Sequence, residues 1–161
     1  FEEPLRQACE KAARFKIRQM GEIEVIDDTY NANPASMAVA IEALEARPRS
    51  GDRIAVLGCM GELGEEAAEL HYKTGTELGK RGINRVLIRG PFAQEIVQGA
   101  RASGVEVAQI YDTHEDMANA LETSIKRGDT LLFKGSRGMT MEVVIDQLAE
   151  KMGWDRDSSL T

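Results

Sequence analysis

Three short polar segments hold the residue types that can do chemistry. The first, Asp27-Asp28-Thr29-Tyr30-Asn31-Ala32-Asn33-Pro34, concentrates acids, amides and one aromatic ring. Carboxylates can accept hydrogen bonds from ribose hydroxyls, amides can read a base edge, and tyrosine offers a stacking face. The same residues also suit plain turn and helix-cap chemistry, because Asp and Asn side chains bond nearby backbone N–H groups. The last segment, Lys134-Gly135-Ser136-Arg137-Gly138, sets cations among small residues at a predicted helix start. Free N–H groups, the positive helix end, and Lys134 or Arg137 together suit a carboxylate or phosphate. The helix dipole disfavours cations at that end, which argues for a ligand rather than a purely structural role. The middle segment, Gly58-Cys59-Met60-Gly61-Glu62-Leu63-Gly64-Glu65, spaces its glycines G-x-x-G-x-x-G and so misses the G-x-G-x-x-G dinucleotide fingerprint.

Other chemistries find no support. Residues 75–81 (GTELGKR) come nearest to a phosphate-cradling P-loop. They have one residue too few between the glycines, Arg where Ser or Thr should follow Lys, and a place inside a predicted helix. His71 falls on the apolar stripe of its helix and reads as a core histidine with one satisfied hydrogen bond; His114 reads as a solvated residue in a cap region. Cys9 and Cys59 form no CxxC pair, so neither a disulfide framework nor a thiolate zinc site is indicated, and both read as reduced cysteines. No serine sits in a G-x-S-x-G elbow. Most of the methionines lie at core spacings and read as packing.

The elements that must position these segments alternate strand and helix. Residues 23–28 (IEVIDD), 54–57 (IAVL), 85–88 (RVLI), 105–111 (VEVAQIY) and 130–133 (TLLF) read as strands. The short, wholly apolar runs among them are of the kind that a parallel sheet buries on both faces. Helices are predicted from Pro34, from about Glu65, over residues 91–102, after an N-cap at Thr113, and around Met141 to Leu148. Repeated β-then-α units argue for a doubly wound α/β domain. Residues 14–19 (RFKIRQ), joined to the next strand through Met20-Gly21-Glu22, predict a hairpin and hence one antiparallel edge strand. The expected division is a lead-in or interdomain remnant over residues 1–13, one domain over 14–152, and a polar tail over 153–161. In such folds ligands bind at the carboxyl ends of strands, where all three segments fall.

The chain has 161 residues, enough for about one domain, with 42% hydrophobic and 29% charged residues, as in soluble globular proteins. A net charge of −7 disfavours binding to nucleic acid or an anionic membrane. No apolar run is long enough for a membrane span, and the first residues lack the apolar core of a signal peptide, so a cytoplasmic location is expected. The chain does not begin with Met, and it reads as a piece of something longer.

VIDDTYNANPASM, LGCMGELGEE followed by His71, and LLFKGSRGMTMEVV resemble the C-terminal domain of the MurF ligases. These are the ATP-dependent UDP-N-acetylmuramoyl-tripeptide–D-alanyl-D-alanine ligases of bacterial peptidoglycan synthesis. The resemblance covers about residues 14–150. Asn31-Ala32-Asn33-Pro34 points to the dipeptide-adding members, since related ligases typically carry His near the position of Asn31. The resemblance implies a Rossmann-like three-layer α/β/α domain with a six-stranded, mainly parallel sheet and one antiparallel edge strand. It places the strand before Tyr30 beside the strand before Gly135, and that one beside the strand before Cys59, so the three segments would border one crevice. It further implies a three-domain enzyme whose first domain binds the UDP-sugar peptide. The central domain carries the P-loop and holds most of the Mg2+. ATP would activate the tripeptide carboxylate as an acyl phosphate, which the amine of D-alanyl-D-alanine attacks before phosphate leaves. On this resemblance Asp28, Tyr30, Asn31 and Asn33 would face ATP, and Lys134, Ser136 and Arg137 would line the dipeptide pocket. Glu62 and His71 would support the site, with no catalytic residue and no metal ligand in this domain. Cys59 departs from the family, where Asp is frequent. An alternative reading is a stand-alone Rossmann-like module that binds a nucleotide or anion without catalysis. The lack of a phosphate-binding glycine loop in the sequence favours the ligase domain, which would be inactive alone.

Overall fold

The computed structural model describes residues 15–155, so the expected lead-in and the end of the expected tail lie outside the described residues. The strands are β1 (Lys16–Met20), β2 (Ile23–Asp28), β3 (Arg53–Gly58), β4 (Arg85–Arg89), β5 (Val107–Ile110) and β6 (Thr130–Lys134). The helices are α1 (Pro34–Ala46), α2 (Ala67–Lys80), α3 (Ala93–Ala102), α4 (His114–Ser124) and α5 (Glu142–Met152). The six strands form one sheet in the order β1-β2-β6-β3-β4-β5. Only β1 is antiparallel, as the edge strand of a hairpin with β2.

The apolar strands explain the layering. Along β3, Ala55 and Leu57 enter one core while Ile54 and Val56 enter the other. Helices α1, α2 and α3 cover the first face and α4 and α5 the second, so the domain is a three-layer α/β/α sandwich. The chain steps outward from β3 to β5 and then returns to insert β6 between β2 and β3. That reversal makes the carboxyl end of β6 a topological switch point, the place where such sheets open a crevice.

Glycines set how closely two helices approach. A Cβ on Gly75 of α2 would lie 2.2 Å from the Ile96 carbonyl oxygen of α3, and one on Gly99 would lie 2.2 Å from that of Tyr72. A Cβ on Gly79 would lie 2.0 Å from Ser103 Oγ. The glycines of the P-loop-like run are thus the notches through which α2 and α3 pack.

Local differences from the expected elements have local causes. A single 3₁₀ turn, Gly64–Glu66, precedes α2, which begins at Ala67 rather than near Glu65. Strand β5 is shorter than residues 105–111, because Val105 N–H is drawn back to the Ala100 carbonyl at 2.9 Å. After β6 the chain makes a 3₁₀ turn, Arg137–Met139, and passes through Thr140 at φ 47°. Helix α5 therefore starts at Glu142, and the positive end expected beside Lys134 and Arg137 is displaced beyond them.

Candidate functional site

The site is built on the last residues of β2, β6 and β3. Asp28 and Lys134 are directly opposed in the parallel β2–β6 register. Lys134 Nζ donates to Asp28 Oδ2 at 2.8 Å and to the Asn31 carbonyl at 2.9 Å. Both side chains are buried, Lys134 at 1% exposure and Asp28 at 4%. Burial pushes the Asp28 carboxyl above its ordinary value and the Lys134 ammonium below its own, and their pairing offsets this only in part. Lys134 thus offers little charge to solvent. It pins the first loop to the sheet.

The first loop divides its side chains between structure and solvent. Asn33 is the N-cap of α1: its Oδ1 accepts from Ser36 N–H at 2.9 Å, and Ser36 Oγ accepts from Asn33 N–H at 3.0 Å. Pro34 follows at the first helical position, where a missing N–H costs nothing. Asn31 is exposed, and its Oδ1 accepts from Ala32 N–H at 2.8 Å. The Tyr30 side chain is turned outward at 51% exposure. Of the four residues expected to face a nucleotide, Tyr30, Asn31 and Asn33 are exposed, and the amide oxygens of Asn31 and Asn33 each accept a backbone N–H. Asp28 is buried, and Asn33 is occupied as a cap.

The last loop is stitched to the other two. Arg137, exposed, donates to the Tyr30 carbonyl at 3.4 Å and pairs with the Glu142 carboxylate. Ser136 N–H donates to the Cys59 carbonyl at 3.1 Å. A Cβ on Gly135 would lie 2.9 Å from Gly58 Cα, so glycines at both strand ends allow β6 and β3 to close there. Lys134, Ser136 and Arg137 therefore share one loop but not one role.

The middle loop is held from beneath. His71, fully buried, accepts Met60 N–H on Nε2 at 2.9 Å, and its Nδ1 lies 2.6 Å from the Ala67 carbonyl. That pair of partners requires the proton on Nδ1. The ring stacks on Phe92 with centroids 4.8 Å apart. His71 makes two hydrogen bonds rather than the expected one, and it supports the loop rather than facing the crevice. Glu62 is exposed, with φ 57°. Cys59 is buried, accepts Phe92 N–H on Sγ at 3.3 Å, and burial pushes its thiol up to about 11. Its side chain thus serves the start of α3.

Two residues escape the sequence reading. His114, expected in solvent, is partly buried, with Nε2 2.7 Å from the Met139 carbonyl, and it clamps the far end of the last loop. Glu142 pairs with Arg137 from the start of α5. Its acidic type, five places after the cation, was the available signal. Among the described residues no group of three or more His, Cys, Asp or Glu could hold a metal ion, and no helix is long and apolar enough to cross a membrane.

Comparison with known proteins agrees with this geometry. The family described as Mur ligase, glutamate ligase domain, matches residues 13–137. The UDP-N-acetylmuramoyl-tripeptide–D-alanyl-D-alanine ligase of Bacillus subtilis is 33% identical over 129 residues, 80% of this chain and 28% of the relative. The Escherichia coli ligase of the same name is 37% identical over 132 residues, 78% of this chain and 27% of the relative. Among solved structures, the MurF ligase of Thermotoga maritima in complex with ADP superposes with a TM-score of 0.75 at 33% identity. It covers 88% of this chain, which covers 31% of it. The chain therefore spans under a third of the length of these relatives. With the β2-β6-β3 order and the joined loops in place, the chain belongs to the Mur ligase family, as a C-terminal domain of the MurF type.

Proposed function

We propose that this domain forms one wall of the cleft in which an ATP-dependent ligase joins D-alanyl-D-alanine to UDP-N-acetylmuramoyl-tripeptide. The observation that carries the reading is the stitching of three loops at the switch point: Lys134 to Asp28 and Asn31, Arg137 to Tyr30, and Ser136 to Cys59. Tyr30 and Asn31 are exposed side chains suited to a nucleoside, one by the stacking face of its ring and one by its amide NH2. Arg137 is the accessible cation of the last loop and suits the carboxylate of the incoming dipeptide. Lys134 holds the nucleotide-facing loop at a fixed height over the sheet, and Asp28 balances its charge.

Asp28, the buried acid of the first loop, is committed to Lys134. In this reading the metal and the phosphates are held by the central domain, the UDP-sugar peptide by the first, and the protein works in the bacterial cytoplasm. The domain alone would then neither bind ATP tightly nor hydrolyse it.

The test is Arg137→Ala in the full-length ligase. Loss of a charge-assisted hydrogen bond predicts a rise in the KM for D-alanyl-D-alanine of about 10- to 100-fold, with the ATP KM little changed. An unchanged dipeptide KM would remove Arg137 from the site.

A further inference from the structure

Among the described residues two that are not glycine take a positive φ, Glu62 at 57° and Thr140 at 47°. One lies on the middle loop and the other at the end of the last. The Thr140 conformation has structural partners: its N–H donates to the Arg137 carbonyl at 3.3 Å, and its Oγ1 lies 3.4 Å from His114 Nε2. Glu62 has none of this kind. It is exposed, and its side chain makes no hydrogen bond or ion pair among the described residues. The left-handed region is costly for a residue with a Cβ, and glutamate lacks the short side chain through which Asn or Asp eases it. Glycine would adopt the same conformation freely. The loop has glycines at 61 and 64, yet of the two only Gly64 lies in that region. Glu65 and Glu66 of the following 3₁₀ turn are also exposed but take no positive φ, so exposure alone does not single out Glu62. The surroundings hold the strained residue in place. His71 fixes Met60 N–H at 2.9 Å from beneath, and the Cys59 carbonyl accepts Ser136 N–H at 3.1 Å from the side. Backbone strain that rigid neighbours impose on an exposed polar residue marks a functional position.

From this strained, unpartnered carboxylate and the contact between the middle and last loops we infer that Glu62 is a specificity-determining residue that receives the amino end of the incoming dipeptide. The inference rests on the reading of Arg137 as the seat of the dipeptide carboxylate. A Cβ on Gly61 would lie 3.7 Å from Ser136 Cβ, so the two loops touch at these residues. Glu62 follows Gly61 as Arg137 follows Ser136, and the touching pair is thus flanked by one anion and one cation. A dipeptide is a zwitterion whose charged ends lie about 7 Å apart at full extension. Two long side chains of opposite charge, each one place beyond the contact, match those ends. An N–H of the amino group donates to the Glu62 carboxylate, which leaves the nitrogen lone pair free for the acyl group it must attack. His71 then has a purpose beyond packing, since it fixes the backbone from which Glu62 projects.

The discriminating ligand is propionyl-D-alanine, which is the dipeptide without its amino group and acts as a competitive inhibitor. In the full-length ligase, Glu62→Gln should raise the KM for D-alanyl-D-alanine by about tenfold and leave the inhibition constant of propionyl-D-alanine unchanged. Arg137→Ala should weaken both ligands, because both carry the carboxylate. Glu62→Gly should raise that KM at least as much as the glutamine variant. The same substitution should raise the melting temperature of this chain by about 2–4 °C, since it relieves the backbone. Equal losses for dipeptide and inhibitor in Glu62→Gln would make Glu62 a shaper of the pocket and overturn the inference. A raised ATP KM or a lowered kcat with the dipeptide KM unchanged would assign Glu62 to another domain's surface and overturn it too. A Glu62→Gly chain less stable than wild type would show that the conformation is not strained and remove the ground for the assignment. A dipeptide KM indifferent to both Glu62 variants, with Arg137→Ala still raising it, would overturn the role of Glu62 alone. If Arg137→Ala changes neither constant, the underlying site reading falls, and this inference with it.

Discussion

Residues 75–81 and residues 134–138 are built from similar parts, glycines beside Lys and Arg, and the fold puts them to opposite uses. In the first run the glycines face the backbone of α3, and Arg81 turns outward to Glu42, Glu45 and Glu77. In the second, Gly135 lets β6 close on β3, Lys134 is buried against Asp28, and Arg137 stands at the crevice. A glycine-and-cation run has no chemistry of its own. Its use depends on whether it lies within a helix packed on another helix or at the carboxyl end of a strand beside a switch point.

The sharpest way to break the contrast is at Lys134, the buried member of the second run. Lys134→Met leaves the Asp28 carboxylate without its partner in a site of 4% exposure. Removing one partner of a buried pair costs about 3–5 kcal/mol, so a large loss in denaturant midpoint is expected. Asp28→Asn in the same chain removes the stranded charge and should recover a good part of that loss. If Lys134→Met alone is as stable as wild type, the ammonium is not a structural pin, and its expected role as a pocket cation would regain force.

In the first run the equivalent break is steric. Gly75→Ala would place a methyl group 2.2 Å from a backbone oxygen of α3, which cannot swing aside as a side chain can. Overpacking of this kind costs about 1–3 kcal/mol, against the ~1 kcal/mol that alanine ordinarily gains over glycine inside a helix. The expected result is a net loss of thermal stability. Turnover per folded molecule of the full-length ligase should stay near wild type, because α2 and α3 meet away from Arg137. A neutral or stabilising Gly75→Ala would show that these glycines are not needed for the close approach.

Much of this was legible in the residues. Residues 54–57 are apolar enough to demand burial on both faces and became the heart of β3, and residues 23–28, a strand pattern that ends in two acids, became β2. Pro34 marked the start of α1, and Thr113 capped α4 through Asp116 N–H. The three loops were visible as polar interruptions at strand ends. Their adjacency came from the resemblance rather than from their chemistry, since a chain read in order gives no reason for β6 to return between β2 and β3. The division of labour among their residues was hidden for a related reason. A lysine beside glycines reads as a surface cation, because lysine is seldom fully buried. Only the pairing of β2 with β6 sets Asp28 across from Lys134 and makes burial tolerable. His114 misled in the same way. A cap position predicts solvent, and the partner that buries it, the Met139 carbonyl, is far along the chain. The helix dipole argument failed for the last loop because nothing in Gly138-Met139-Thr140 announced that Thr140 would break the run before α5.

The smallest effect belongs to Arg81, the outward cation of the first run. Its guanidinium joins Glu42 and Glu45 of α1 to Glu77 of α2, at distances of 3.0, 3.0 and 2.8 Å. The arginine side chain is 33% exposed and its partners are similarly wet, so each pair is screened. Exposed pairs contribute about 0–1 kcal/mol each, and the sum falls with salt. Arg81→Gln should therefore lower stability by about 1 kcal/mol at low ionic strength and by less in high salt, a difference that paired melting curves would resolve. In the full-length ligase it should leave the KM for D-alanyl-D-alanine where it was, although it removes the same unit of charge as Arg137→Ala. Equal effects of the two substitutions on that KM would mean that the dipeptide responds to the domain's overall charge. Position at the crevice would then not be what distinguishes the two runs.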